Sequence, residues 1–172
     1  QQEEPSVDDV PFRAAVVSSW RHALTLAQAS ISSCNAAISA CRTKGNWKAV
    51  LQLFRQTKSV SLQPNDVTFL AAISGYETAP ARSDQWGGAV ALLFLMSTVR
   101  LPVEGSHINS AISACEKAGQ WQLALWLLQC MPHLRIVKDE ISYNSAISAC
   151  SKGSEWEIAI SLLSAMPADA TA

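Results

Sequence analysis

Asn109, Ser113 and Lys117 stand four residues apart, and Asn144, Ser148 and Lys152 repeat the series later in the chain. On a helix of 3.6 residues per turn this spacing aligns an amide, a hydroxyl and an ammonium along one face. Such a stripe can hold a base edge through the amide and a phosphate through the ammonium. A third series, Asn35 and Ser39, continues into Thr43 with Lys44 adjacent. The alternative is plain structure: each Asn bonds a neighbouring repeat and each Lys is solvated.

Other chemistry finds little purchase. His22, His107 and His133 fall in unrelated phases of the pattern, and there is no carboxylate cluster, phosphate-cradling loop or nucleophile elbow. An enzyme is not expected. The five cysteines include no CxxC pair and have no histidine at ligand spacing, so neither a metal site nor any other cofactor is expected. Their odd number fits a reducing compartment.

The stripes belong to a repeated phrase. Asn35–Trp47 reads NAAISACRTKGNW, Asn109–Trp121 reads NSAISACEKAGQW and Asn144–Trp156 reads NSAISACSKGSEW, with a divergent copy beginning at Leu70, LAAISGY. The marks Asn35, Leu70, Asn109 and Asn144 are spaced 35, 39 and 35, and the extra residues lie in the polar, Pro80-containing stretch ETAPARSDQ. Within each copy, apolar residues recur at i, i+4 and i+7, as in Phe69, Ile73 and Tyr76 or Ile108, Ile112 and Cys115. That is one stripe of an amphipathic helix. A second helical pattern opens at Trp47, Trp86, Trp121 and Trp156, and Trp20 begins a further half-unit. Gly45, Gly119 and Gly153 are expected to end first helices in a left-handed conformation. Pro64, Pro102, Pro132 and Pro167 follow second helices, which they cannot continue.

The expected fold is all-α: a right-handed α-solenoid of four stacked helical hairpins plus a leading helix, over residues 16–167. An acidic tail, 1–15, precedes it and a short tail, 168–172, follows. One hairpin cannot bury its stripe alone, so neighbours must cover it. Trp20, Trp47, Trp86, Trp121 and Trp156, with Cys41, Cys115 and Cys150 in equivalent slots, are expected to pack the repeats together.

Of the 172 residues, 49% are hydrophobic and 16% charged, which suggests that a partner covers some apolar surface. No run approaches the length of a membrane span. Net charge is −1 but unevenly spread: −4 over residues 1–9, +7 over 10–65 and −4 over 66–172. The basic block suits either an anionic partner, including peripheral contact with a charged surface, or plain solvation. The opening QQEEPSVDDVPF has no targeting character and is read as a mature start whose leader has been removed.

Period, paired helices, Tyr143–Asn144 opening a first helix and a Pro-Asn junction at Pro64–Asn65 together resemble the pentatricopeptide repeat (PPR) family. A tetratricopeptide array would carry its Trp on the first helix. The wording AISAC-x-K-x-G-x-W is similar to PPR arrays abundant in dinoflagellate algae. The resemblance implies that two residues per unit read one RNA base: Asn35 with Asn65, and Asn109 with Asp139, both pyrimidine-reading, the second favouring uracil. Leu70 with Glu104 departs from that rule, and Asn144 has its closing position beyond Ala172. Lys44, Lys117 and Lys152 would meet phosphates.

Two functions are therefore expected. The first is a non-catalytic scaffold subunit of a larger organellar assembly, a plastid photosynthetic complex foremost, with protein subunits as partners. The second is a single-stranded RNA-binding protein of organellar RNA processing, stability or translation.

Overall fold

Each unit folds as its two periodic patterns require. A computed structural model of the chain describes residues 31–43, 47–59, 62–78 and 86–166. Among them are eight α-helices and one short 3-10 turn, with no strand. First helices are α1 (Ile31–Thr43), α3 (Asp66–Glu77), α5 (Gly105–Lys117) and α7 (Glu140–Lys152). Second helices are α2 (Trp47–Ser59), α4 (Trp86–Thr98), α6 (Trp121–Cys130) and α8 (Trp156–Ala165), each opening at its tryptophan. The leading helix with Trp20, both tails, Lys44, Gly45, Pro167 and most of the insertion around Pro80 lie outside the described residues.

Sequential first helices pack directly on one another, and each second helix packs on its own partner and on the first helix that follows. Small residues explain the tighter row. Ala71, Ala72, Ala111, Ala114, Ala146 and Ala149 are buried between first helices, where the absence of long side chains lets axes approach. Second helices carry bulkier residues and meet through long side chains such as Phe94 and Trp126, whose ring centroids are 6.3 Å apart. The first helices therefore form the inner face of the stack. Its seam is the apolar stripe read from the sequence: Ile38, Phe69, Ile73, Ile108, Ile112 and Cys115 are buried, with Val50, Ala89 and Ala124 supplied by second helices.

Two expectations need correction. Gly119 is left-handed, with φ +70°, but Gly153 has φ −80° and lies in the right-handed region. In the fourth unit the left-handed residue is Ser154, φ 62°. Gly153 is there for space, not for dihedral freedom: a Cβ on it would run into the Trp121 indole of the preceding unit. The second correction concerns Trp156. Trp47, Trp86 and Trp121 are half-buried, but Trp156 is 65% exposed, and no residue of α8 is buried. Nothing among the described residues stacks on that last face.

Candidate nucleic-acid interface

The residues that close one unit also start the next. Asn65 is the N-cap of α3, its Oδ1 accepting from the Thr68 amide at 3.0 Å, while the Thr68 hydroxyl accepts from the Asn65 amide. Asp139 caps α7, accepting from the Ser142 amide at 2.8 Å. Asn and Asp are favoured there because a short acceptor satisfies an amide that the helix leaves unpaired. The same side chains reach back to the marker asparagines. Asn35 Nδ2 donates to Asn65 Oδ1 at 3.1 Å, and Asn109 Nδ2 donates to both carboxylate oxygens of Asp139, each at 3.1 Å.

The two pairs differ in what they leave open. Asn35 Oδ1 accepts from the Thr68 hydroxyl at 2.6 Å, so the first amide is engaged at both ends. Asn109 Oδ1 is buried and has no hydrogen-bond partner. An unmet buried acceptor costs about 1–3 kcal/mol. Asp139 can only accept, so it fixes the Asn109 amide with nitrogen toward itself and oxygen away. The third unit thus holds a preset acceptor that lacks a donor. Asn144 is exposed and holds Glu140 weakly, at 3.4 Å. In the second unit Leu70 occupies the equivalent place, beside the exposed Val67.

The rest of each polar stripe bonds the preceding unit. Ser148 and Lys152 both donate to Glu116 Oε1 of the preceding unit, at 2.7 and 3.0 Å. One unit earlier, Lys117 donates to the Glu77 carbonyl oxygen, and the Ser110 hydroxyl meets that of Ser74 at 3.1 Å. Burial pushes the Glu77 carboxyl up, while Lys117, the Ser110 and Ser113 hydroxyls and Arg42 pull it back. Glu77 and Glu116 hold the same place, seven residues after their markers. Glu116 staples successive first helices through the next unit's Ser148 and Lys152, and Glu77 through Lys117 on its carbonyl oxygen. Sequence spacing brought Ser113, Lys117, Ser148 and Lys152 to one face; stacking shows that Lys117, Ser148 and Lys152 grip a neighbour's acid or carbonyl.

Between α1, α3 and α5 the inner face opens as a groove of about 370 Å³, lined by Asn35, Ser39, Arg42, Leu70, Glu77 and Ser106 among others. The groove and the unpartnered, buried Asn109 acceptor lie along the same row of helices. Cys41, Cys115 and Cys150 are buried in the seam, and burial pushes the Cys115 thiol up to about 12. No helix among the described residues is long and apolar enough to cross a membrane.

Comparison with known families gives the pentatricopeptide repeat domain over residues 27–77 and the PPR repeat over 107–136 and 141–169. The chain belongs to the pentatricopeptide repeat family. Comparison with curated proteins returned no match. Two solved PPR structures share the fold. The PPR domain of Arabidopsis thaliana protein-only RNase P 1 (PRORP1), in complex with tRNA, aligns with 74% of this chain at 12% identity and a TM-score of 0.65. PPR10 from maize aligns with 76% at 20% identity and a TM-score of 0.68. The chain spans 66% of the first and 18% of the second. As a PPR array it shows the helical solenoid expected. The sequence reading missed the acidic staples. Their signal was present as a Glu seven residues after Leu70 and again after Asn109.

Proposed function

We propose that this PPR chain binds single-stranded RNA along its inner face, with Asn109 as the principal base-reading residue. The observation that carries the reading is the Asn109–Asp139 pair. The carboxylate holds the amide nitrogen, leaving Oδ1 as an acceptor in want of a donor. The N3–H of uracil is such a donor, and cytosine presents an acceptor at that atom, so the pair favours uracil. Support comes also from the family itself and from the tRNA-bound neighbour. This places RNA binding ahead of the scaffold role, which ranked first on sequence alone.

The role is non-catalytic, and an organelle, the plastid foremost, is the proposed setting on the family wording. Lys117 and Lys152 are exposed but already bonded to Glu77 and Glu116, so the expected phosphate contribution is small and salt dependence shallow, roughly 0.7 units of slope per phosphate neutralised. Anisotropy titrations of labelled uridine-rich and adenosine-rich oligonucleotides test the reading. Tighter binding of the uridine-rich strand is expected; equal affinity for both, or none for either, would refute it.

A further inference from the structure

The row of second helices carries a feature that stacking does not require. Between α4 and α6 lies an apolar pit of about 200 Å³, lined by Leu93, Phe94, Val103, Trp126, Cys130 and Leu134 among others. An apolar cavity near that size accommodates a benzene-sized ring. Phe94 is 57% exposed, Trp126 45% and Leu134 51%. The position of Phe94, eight residues after the helix-opening tryptophan, holds Arg55, Gln129 and Ser164 in the other units. That of Trp126, five after it, holds Gln52, Ala91 and Ser161. Stacking therefore tolerates polar or small residues at both places, and the two aromatics are specific to this pit. Exposed aromatics gathered around a cavity mark an interaction surface.

The charges beside the pit have one sign. Residues 86–103 and 121–138, which line it together with Ile108, contain Arg100, Arg135 and Lys138 and no carboxylate. Arg100 and Arg135 are exposed at left-handed turns that follow α4 and α6, and neither is in an ion pair among the described residues. Arg135 directly follows Leu134 of the rim, and Arg100 lies in the turn between Ser97 and Val103, which both line the pit. The carboxylates that come after these turns, Glu104 and Asp139, are the N-cap residues of α5 and α7. A recess takes a side chain that projects from a partner, and unpaired cations beside it take carboxylates.

We propose that this face docks an acidic segment of a separate protein, which seats one aromatic side chain between Phe94 and Trp126 and turns its carboxylates to Arg100 and Arg135. Other occupants fit less well. A nucleobase has polar edges that need partners, and the lining offers only Ser97, Cys130 and His133 for them. An anionic membrane calls for a cluster of roughly 4–8 Lys or Arg, where Arg100, Arg135 and Lys138 stand alone, and it is met by protruding apolar side chains rather than by a recess. The proposal does not depend on RNA binding, which would use the first helices.

The probe is a synthetic peptide of Glu and Ser around a single photocrosslinking benzoylphenylalanine, irradiated with the full chain and its adducts mapped by mass spectrometry. Adducts on the peptides that carry Phe94, Trp126 or Leu134 are expected. Their yield should fall several-fold in Phe94→Ser with Trp126→Ser, residues that the fourth unit already carries at these places, and in Arg100→Gln with Arg135→Gln. Circular dichroism establishes that both double variants keep their helices. On the unaltered chain, the yield should fall several-fold at high salt and when Lys replaces Glu in the peptide. No adducts, adducts on the inner face, equal labelling by the lysine peptide, or yields that the variants leave unchanged would overturn the proposal. So would phosphatidylglycerol vesicles or a uridine-rich oligonucleotide abolishing the adducts, since the face would then serve a lipid surface or RNA. A dimer in sedimentation that Phe94→Ser with Trp126→Ser dissolves would overturn it in favour of a second copy.

Discussion

Gly153, at the end of α7, lies flat against the indole of Trp121, which opens α6 in the unit before. A Cβ built on Gly153 would stand 2.8 Å from the indole Cγ and closer still to Cδ1. The contact seats a turn without a side chain on a ring of the unit before. Gly153→Ala should destabilise the fourth unit by about 1–3 kcal/mol through overpacking. Thermal denaturation followed by circular dichroism measures it. Trp121→Leu should recover part of the loss in the double variant, because the ring that obstructs the methyl is gone.

The staples predict a trade between stability and charge. Glu116→Gln removes the anion that holds Lys152 and Ser148. The exposed pair is worth at most about 1 kcal/mol, so the fold should survive. Lys152 would then be available to a phosphate, and the slope of log affinity against log salt should steepen by roughly 0.7. Salt titrations of RNA binding by the two proteins provide the comparison.

Glu77 gives the array a dependence on pH. Its folded-state pKa is raised, with burial the largest cause. Between the ordinary carboxylate value and the raised one, the folded state binds more protons than the unfolded state. The Glu77 contribution therefore favours the folded state below the ordinary value and is lost as pH rises through the raised one. Glu77→Gln should flatten the stability profile in that window and leave the protein relatively more stable above it. Denaturant titrations at a series of pH values would show the difference.

The thiols should react in order of access. Cys130 is partly exposed at the pit, whereas Cys115 is fully buried and its thiol is pushed up to about 12. Alkylation in native conditions at mildly alkaline pH should label Cys130 first and Cys115 only as the chain unfolds. Peptide mapping after timed quenching reads the order.

Much of this was visible in the sequence, and what was not has a physical explanation. The helix-opening tryptophans and the stripe from Phe69 to Tyr76 follow from periodicity, which reports local geometry directly. The pairings of Asn35 with Asn65 and Asn109 with Asp139 came from family resemblance, and the structure adds their difference. Thr68 closes the first pair and no equivalent group closes the third, a distinction between hydroxyl orientations that spacing does not encode. The staples at Glu77 and Glu116 join residues more than thirty positions apart, so they exist only once units stack. Gly153 looked like its counterpart at a helix end, yet its dihedral is ordinary and its need is room.

The central claim is that Asp139 presets the Asn109 amide to accept, and the direct measurement is the uracil-over-cytosine preference at that position with and without the carboxylate. Asp139→Asn keeps a competent N-cap, as Asn65 demonstrates in the first unit, but allows the Asn109 amide to turn and offer its nitrogen. The account predicts that the native protein prefers uracil by about one hydrogen bond, roughly tenfold at most, and that Asp139→Asn erases or reverses the preference while total affinity changes little. An unchanged preference in the variant, or none in the native protein, would contradict it.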